Sequence, residues 1–350
     1  MSSRKRKIQH KRKHDNDNID VCNDNESYRQ TDLCDLKKGK YEGSHVGENP
    51  DPECGEANLS NFDCCKKHPG HRQFIPFHKL TLKHLPDGYQ DHDLYEFIKS
   101  AGDQTVRLGV TESSRYRPEF WPKTNRPYPF YNSEKSNLRT GSGQIWGVDK
   151  FQNGDISSYH QNCWCIQCQN SDSPSHVWWE FNVYTATHVV FDDIEASHTS
   201  LRLFFDKNNC PVVTVDKVIV DLADIKGDLC VLTCVTCDNN LGNKVEKKWK
   251  NYEIKLMKVN KKFKMSKDKH RLNFIVSHPH GCCKHVSVGH WINRQKIGYK
   301  TRFTYTTCTC PGSSGAVVHF VGFDKWWMSD LVHCGTFKNK LNYSGTGYVT

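Results

Sequence analysis

The stretch WWEFNVYTATHVVF, residues 178–191, decides how the chain is read. Six of its first eight residues are aromatic or β-branched, the types that fit a pleated surface. Small residues, Thr185, Ala186 and Thr187, then deliver a histidine, His188, at the end of the run. The same texture recurs from residue 140 onward: GQIWGV, LRLFFD, VVTVDKVIV, DLCVLTCV, LNFIVS, HVSVGHW, TRFTYTT, AVVHFVGF and DLVHCGTF, each bounded by turn signals. Many short strands, with no long amphipathic helix among them, predict an all-β protein built as a sandwich or a pair of barrels.

Upstream the pattern is different. DHDLYEFIKSAG (91–102) predicts a short helix, capped by Asp91 or Asp93 and ended by Gly102. Leu94, Phe97, Ile98 and Ala101 make its apolar face. QTVRLGV (104–110) is strand-like, and residues 113–137, with their prolines and aromatics, read as an irregular arm over the body. Residues 1–70 are rich in Lys, Asp, Asn, Glu and Gly and poor in aliphatics, so they are expected to be disordered. Residues 71–103 form a helical lead-in, and 104–350 the main domain, with its two halves divided near 238–270.

The net charge of +10 is uneven: Arg4, Lys5, Arg6, Lys7, Lys11, Arg12 and Lys13 carry seven of the ten surplus charges. The body is therefore nearly balanced, and nucleic-acid contact is expected only through residues 4–13, which also fit a nuclear address. No apolar run approaches the ~18 residues of a membrane span, and the N-terminus lacks an apolar signal core. The chain is expected in the cytoplasm or nucleus, with no membrane partner. There its 17 cysteines read as thiols or metal ligands and not as a disulfide frame.

CTCPGSSGAVVHF (308–320) places two serines between glycines ahead of an apolar run. Ser314 is the candidate nucleophile. Gly312, two residues earlier, lets the chain turn so that its own amide and that of Ser314 form an oxyanion hole, worth roughly 3–4 kcal/mol per donor. Acyl transfer by serine also needs an imidazole base and a carboxylate to orient it. His188 supplies the first. Asp228, opening the apolar run of GDLCVL, supplies the second, ahead of its neighbour Asp224.

These segments resemble the trypsin-like, chymotrypsin-fold peptidases of the PA clan. TATHVVF is similar to the family's Thr-Ala-Ala-His segment, GDLCVL to Asp-Ile-Ala-Leu-Leu, and CPGSSGA to Gly-Asp-Ser-Gly-Gly. RTGSGQIW (139–146) resembles the Gly-Ser-Gly lead-in of high-temperature-requirement proteases. The order His, Asp, Ser and the gaps of 40 and 86 residues suit the family. The resemblance spans residues 104–350. It implies two six-stranded antiparallel β-barrels and a serine endopeptidase that needs no cofactor for catalysis and takes a polypeptide in an extended form between the barrels. Ser313 stands where many trypsins carry aspartate, so zymogen-style activation is not expected. DLVHCGTF resembles a pocket wall of glutamyl and picornavirus-type proteases, in which His333, assisted by Thr309, would bind Glu or Gln before the scissile bond. Other readings are an inactive scaffold for protein binding and a zinc-stabilised nucleic-acid binder.

CWCIQC gathers Cys163, Cys165 and Cys168, candidate ligands of a structural zinc with His160 or His176 as the fourth. Cys234 and Cys237 form a second candidate, to be completed by Cys282, Cys283 or His285.

Overall fold

The computed structural model describes residues 45–46, 52–53, 62–63, 65–133, 138–155, 160–323, 331–337 and 340–349. All fall within one compact unit, Gly43–Thr350. The basic run at 4–13 lies outside the described residues. In chain order the strands are His45–Val46 (β1), Pro52–Glu53 (β2), Ile75–Pro76 (β3), Thr105–Val110 (β4), Leu138–Gln152 (β5), Val177–Thr185 (β6), Thr199–Leu203 (β7), Val213–Val215 (β8), Val218–Asp224 (β9), Leu229–Thr236 (β10), Leu272–Ser277 (β11), His285–Ile297 (β12), Lys300–Tyr305 (β13), Val318–Phe320 (β14), His333–Phe337 (β15) and Asn342–Ser344 (β16).

They form two antiparallel sheets. One runs β8-β7-β4-β5-β6-β10-β9, with β2 on β5; the other runs β1-β15-β16-β13-β12-β11-β14, with β3 on β12. Among the described residues each sheet has eight strands; without the two-residue β2 in the first and β1 and β3 in the second they have seven and six, against the six and six that the resemblance implies.

Each sheet turns a corner on one long strand. β5 pairs with β4 up to Gln144 and with β6 from there on, with a register shift between Trp146 and Val148. Gly147, at φ 79, supplies the left-handed backbone that the shift requires. β12 pairs with β11 through His290 and with β13 from Trp291, again across a shift. Such bends let a sheet curl around its own core. Leu108, Ile145, Phe181, Val183 and Leu232 fill the first core, and Ile275, Phe303, Tyr305, Val318 and Phe320 the second.

Two helices pack where the sheets meet. The first, His92–Gln104, is capped by Asp91, whose Oδ1 accepts from the Asp93 and Leu94 amides at 3.0 Å. It does not stop at Gly102. A Cβ there would lie 2.0 Å from Phe77 Cε2, so glycine serves close packing inside the helix. The second helix, Asn239–Phe263, corrects the expectation that no long helix interrupts the strands. It links β10 to β11, where the sequence places the divide between halves. Its apolar positions are few but share one face: Val245, Trp249, Tyr252 and Val259 are buried. Its lysines answer acids of the first helix: Lys248 meets Asp103 (2.5 Å), Lys255 meets Glu96, Lys258 meets Asp93 (2.7 Å) and Lys262 meets Asp91 (2.5 Å). Solvent screens such pairs, so each alone contributes little. The pairing direction makes the helices antiparallel.

The body also begins before residue 71. Cys65 is buried, and Lys67 reaches Thr336 Oγ1 at 2.8 Å, so this end of the expected tail is packed. Phe62 packs on the His71, His280 and His285 rings, Cys65 meets Cys310, and Lys67 bonds Thr309 and Thr336, scattered contacts that form no apolar run in the sequence.

Tyr252 carries the long helix's polar link to both sheets. Its hydroxyl accepts from Gln144 Nε2 at 3.0 Å, and Gln144 Oε1 lies 2.9 Å from His319 Nε2. Tyr252→Phe leaves a buried amide donor without that acceptor and is expected to lower unfolding free energy by about 1–3 kcal/mol, read from the urea midpoint; an unchanged midpoint would mean that the network carries no net stability.

Candidate active site

The strand register brings His188 and Asp228 together. β6 and β10 are antiparallel, with Thr185 opposite Cys230. Continued two residues past the end of β6, that register sets Thr187 opposite Asp228, and His188 follows directly. The chain turns tightly there, as the Val189 and Val190 amides both donate to Ala186 O. Asp228 holds a left-handed φ of 53, which aspartate tolerates better than most residues.

His188 Nδ1 lies 2.8 Å from Asp228 Oδ2. Asp228 Oδ1 accepts from the Thr187 hydroxyl at 2.9 Å and the His188 amide at 3.1 Å. Burial pushes the Asp228 carboxyl up; the His188 charge and the bonds from His188, Cys334 and Thr187 outweigh it and hold the group below the usual carboxylate range. A carboxylate on Nδ1 draws the ring proton there and leaves Nε2 as the basic nitrogen. That nitrogen is buried and makes no hydrogen bond among the described residues.

Ser314 arrives from the other sheet. Its carbonyl accepts from the Ser142 amide at 2.8 Å, and the next amide, of Gly315, donates to His333 O at 2.9 Å. A Cβ on Gly315 would lie 2.2 Å from Thr185 Oγ1 and 3.0 Å from Ala186 N. The serine's main chain thus rests against the turn that presents His188. Ser314 is fully buried, and His188 is 1 % exposed.

Ser142 organises this junction, a role the sequence reading did not assign. Its hydroxyl donates to Gly312 O at 2.7 Å and accepts from the His278 amide at 2.8 Å; its carbonyl accepts from the Thr185 hydroxyl at 2.9 Å. The only signal was the Gly-Ser-Gly of residues 141–143. The neighbouring peptides are oriented as well. Pro311 O accepts from the His280 amide and Ser313 O from the Ala316 amide. In a trans peptide C=O and N–H point oppositely, so the Gly312 and Ser314 N–H groups face away from those anchors. Gly312, at φ 86, has no room for a side chain: a Cβ would lie 2.5 Å from His278 O.

His333 is fully buried, with Nδ1 2.7 Å from the Tyr305 hydroxyl. Burial, then the charges of Lys67 and His188, keep its pKa well below the ordinary histidine value. Thr309 is also buried, and Lys67 Nζ lies 3.3 Å from its hydroxyl. Asp224, the competing carboxylate, is engaged elsewhere: it accepts from Lys300 Nζ at 2.6 Å and from the Gly227 amide.

The arm is anchored beneath His188. Arg117 Nε meets Glu195 Oε1 at 2.6 Å, and its guanidinium also donates to His188 O at 3.2 Å. Arg139 meets the other Glu195 oxygen at 2.6 Å. Beyond Arg117 the arm folds back as a hairpin, with Phe120 bridged to Pro127. Trp121 then faces His188 at a ring separation of 6.3 Å, and the Arg126 guanidinium lies 5.9 Å from the Tyr343 ring on β16. The hairpin spans the junction of the two sheets.

Cys163, Cys165 and Cys168 do converge, and Cys237 is their fourth partner; the four sulfurs lie within 4.8 Å of one another. His160 instead packs on Trp164, and His176 Nδ1 sits 2.7 Å from Asn153 Nδ2. Cys234 belongs to the opposite face of β10, buried in the main core, so the paired-cysteine reading of 234 and 237 gives way. Strand alternation separates them. Among the described residues, Cys282, Cys283 and His285 join neither cysteine cluster.

No family model matches the chain, and no curated protein matches it. Among solved structures it is similar to the HtrA-type protease AlgW with a decapeptide, at TM-score 0.36 and 11% identity over 71% of this chain and 62% of that one. A second AlgW chain, with a tripeptide, matches at TM-score 0.36 and 10% identity over 71% of this chain and 58% of that one. The chain thus spans about three-fifths of these neighbours. No helix among the described residues is long and apolar enough to cross a membrane.

Glu195 gives the site a pH signature. Burial raises its carboxyl pKa, but the bond and charge of Arg117 and the charge of Arg139 pull it below the ordinary 4.5. A depressed folded pKa contributes stability that is fully present above the unfolded pKa and is lost as pH falls through the folded value. The urea midpoint should therefore fall on acidification below about pH 4.5, and Glu195→Gln should flatten that limb while lowering stability at neutral pH by about 3–5 kcal/mol, the cost of stranding buried guanidinium charge.

Proposed function

We propose that the protein is a serine-type endopeptidase in which Ser314 attacks, His188 takes and returns the proton, and Asp228 orients and stabilises the imidazole. The observation that carries the reading is the 2.8 Å bond from His188 Nδ1 to Asp228 Oδ2, with Nε2 making no hydrogen bond among the described residues. The amides of Gly312 and Ser314 stabilise the oxyanion. Supporting this is the anchoring of the preceding carbonyls, Pro311 O and Ser313 O, away from them. No cofactor enters the reaction. A structural zinc on Cys163, Cys165, Cys168 and Cys237 stiffens the start of the long helix, since Cys237 precedes its capping Asp238.

The pocket reading is sharpened by Lys67. With Nζ at 2.8 Å from Thr336 Oγ1 and 3.3 Å from Thr309 Oγ1, it adds a cation beside His333. A carboxylate would be favoured over an amide there, Glu over Gln, because a charge-assisted bond is about twice as strong as a neutral one. The polypeptide enters once the 119–128 hairpin yields, since Ser314 and His188 are buried at rest. That same burial favours the one competing reading, an inactive scaffold.

A fluorophosphonate probe separates the two. Labelling of the wild-type chain and its loss in Ser314→Ala are expected, with peptide hydrolysis falling by about 10⁶-fold in kcat/KM; an unlabelled wild type points to the scaffold. On a peptide series differing only before the scissile bond, Glu should exceed Gln by about tenfold or more, and Lys67→Met should erase the difference with little change in kcat. Equal rates for Glu and Gln in the wild type would remove Lys67 from the pocket.

A further inference from the structure

A second cluster lies outside the residues assigned above. Cys65, His71, His280 and Cys310 are all buried, and one ligand atom from each lies within 4.8 Å of the others. Cys65 Sγ is 3.6 Å from Cys310 Sγ, and Cys310 Sγ is 3.4 Å from His71 Nε2. A disulfide would bring the sulfurs to about 2.0 Å. A tetrahedral zinc, with bonds of about 2.3 Å to sulfur and 2.0 Å to nitrogen, implies ligand–ligand edges of roughly 3.8 and 3.5 Å. The observed separations match the second geometry.

Three further observations agree. The His68 amide donates to Cys65 Sγ at 3.4 Å, three residues on, as the Cys168 amide does to Cys165 Sγ in the other thiol cluster. Such bonds would stabilise a thiolate once a metal is bound. Both histidines occupy left-handed backbone, His71 at φ 44 and His280 at φ 51, a strained state that persists only where surroundings over-determine it. Phe62 stacks on the His71 ring at 3.8 Å and 11°, closing the cluster from outside. The charge also balances: two thiolates neutralise a divalent ion, two neutral imidazoles add none, and a neutral assembly tolerates burial.

We propose that Cys65, His71, His280 and Cys310 bind a structural zinc ion that staples the segment before the first helix to the loop carrying Ser314. Binding releases the two thiol protons to solvent, forms four coordinate bonds and involves no redox change. The ion sits four residues from Ser314 on one side. On another it holds His280, whose amide anchors Pro311 O, and hence the Gly312 peptide. On a third it fixes Cys65, two residues from Lys67. The staple therefore sets the oxyanion loop and the pocket cation together, and its existence does not depend on the hydrolase reading.

The test counts metal without measuring activity. Full-length protein purified with zinc and without chelator is expected to carry about two zinc ions per chain. Cys65→Ser with Cys310→Ser should lose one, and Cys165→Ser with Cys168→Ser the other. His71→Ala should lose the same ion as the first pair, whereas His71→Cys should retain it, which separates ligation from folding. Should the first pair not fold, cobalt(II) added to the Cys165→Ser, Cys168→Ser protein decides: tetrahedral d–d bands with two-thiolate charge transfer are expected. Weak octahedral bands, a zinc content indifferent to Cys65 and Cys310, or a Cys65–Cys310 disulfide in the peptide map of zinc-purified protein would each overturn the proposal.

Discussion

The junction of the two sheets depends on Ser142. It sits on β5 of the first sheet, yet two of its groups bond the loop of the second that carries Gly312 and Ser314, a third ties Thr185 on β6, and the His278 amide donates to it from the end of β11. Each buried bond is worth only about 1 kcal/mol net, but a partner left unmet costs about 1–3. Four such partners on one residue leave the sheets a single relative placement. The flanking glycines follow from this closeness. A Cβ on Gly141 would lie 2.5 Å from Val189 Cγ1 and 3.3 Å from Ser314 O, and one on Gly143 would lie 2.8 Å from Val183 Cγ1. Gly-Ser-Gly is thus part contact surface: Gly141 permits the approach of the Ser314 loop, Ser142 bonds across it, and Gly143 makes room for Val183 and Leu108 within the first sheet.

Charge around His188 is managed by pairing and not by solvent. Asp228 beneath the imidazole accepts three bonds, and Glu195 on the far side of the turn accepts from two arginines and from the Ser114 amide. Burial works against both carboxylates, and in both the partners win. The His188 carbonyl is held by Arg117, so the residue is fixed from main chain and side chain at once.

What the sequence made legible is what strands make local. Aromatic and β-branched runs such as WWEFNVYTA encode β6 directly, and the antiparallel register then delivers the neighbourhood of His188 and Asp228. The Ser314 turn was legible because two glycines with positive φ flank it. The long helix was missed because its surface is lysine-rich and its apolar face rests on few residues; the acids that answer those lysines lie some 150 residues earlier, on the first helix. Cys237 was assigned to Cys234 and not to the CWCIQC set, and the Cys65 set was missed, for a related reason. Their ligands are contributed by separate strands and loops, up to 245 residues apart, so no spacing rule reaches them.

The hairpin over the site is held unevenly, and that inequality bears on access. Its base is anchored by Arg117 in a buried ion pair and four carbonyl contacts, an arrangement whose disruption costs several kcal/mol. Its tip, residues 122–125, is exposed, and Arg126 reaches the second sheet at Tyr343, over its ring and at its hydroxyl. A cation over a ring at such a site is worth about 0.5–2 kcal/mol. Thermal opening should therefore begin at the tip and pivot about Arg117, lifting Trp121 from His188 while the Glu195 cluster stays closed. The residue that keeps the arm attached is the same one that fixes the His188 carbonyl, so the cover can open without loosening the imidazole it covers.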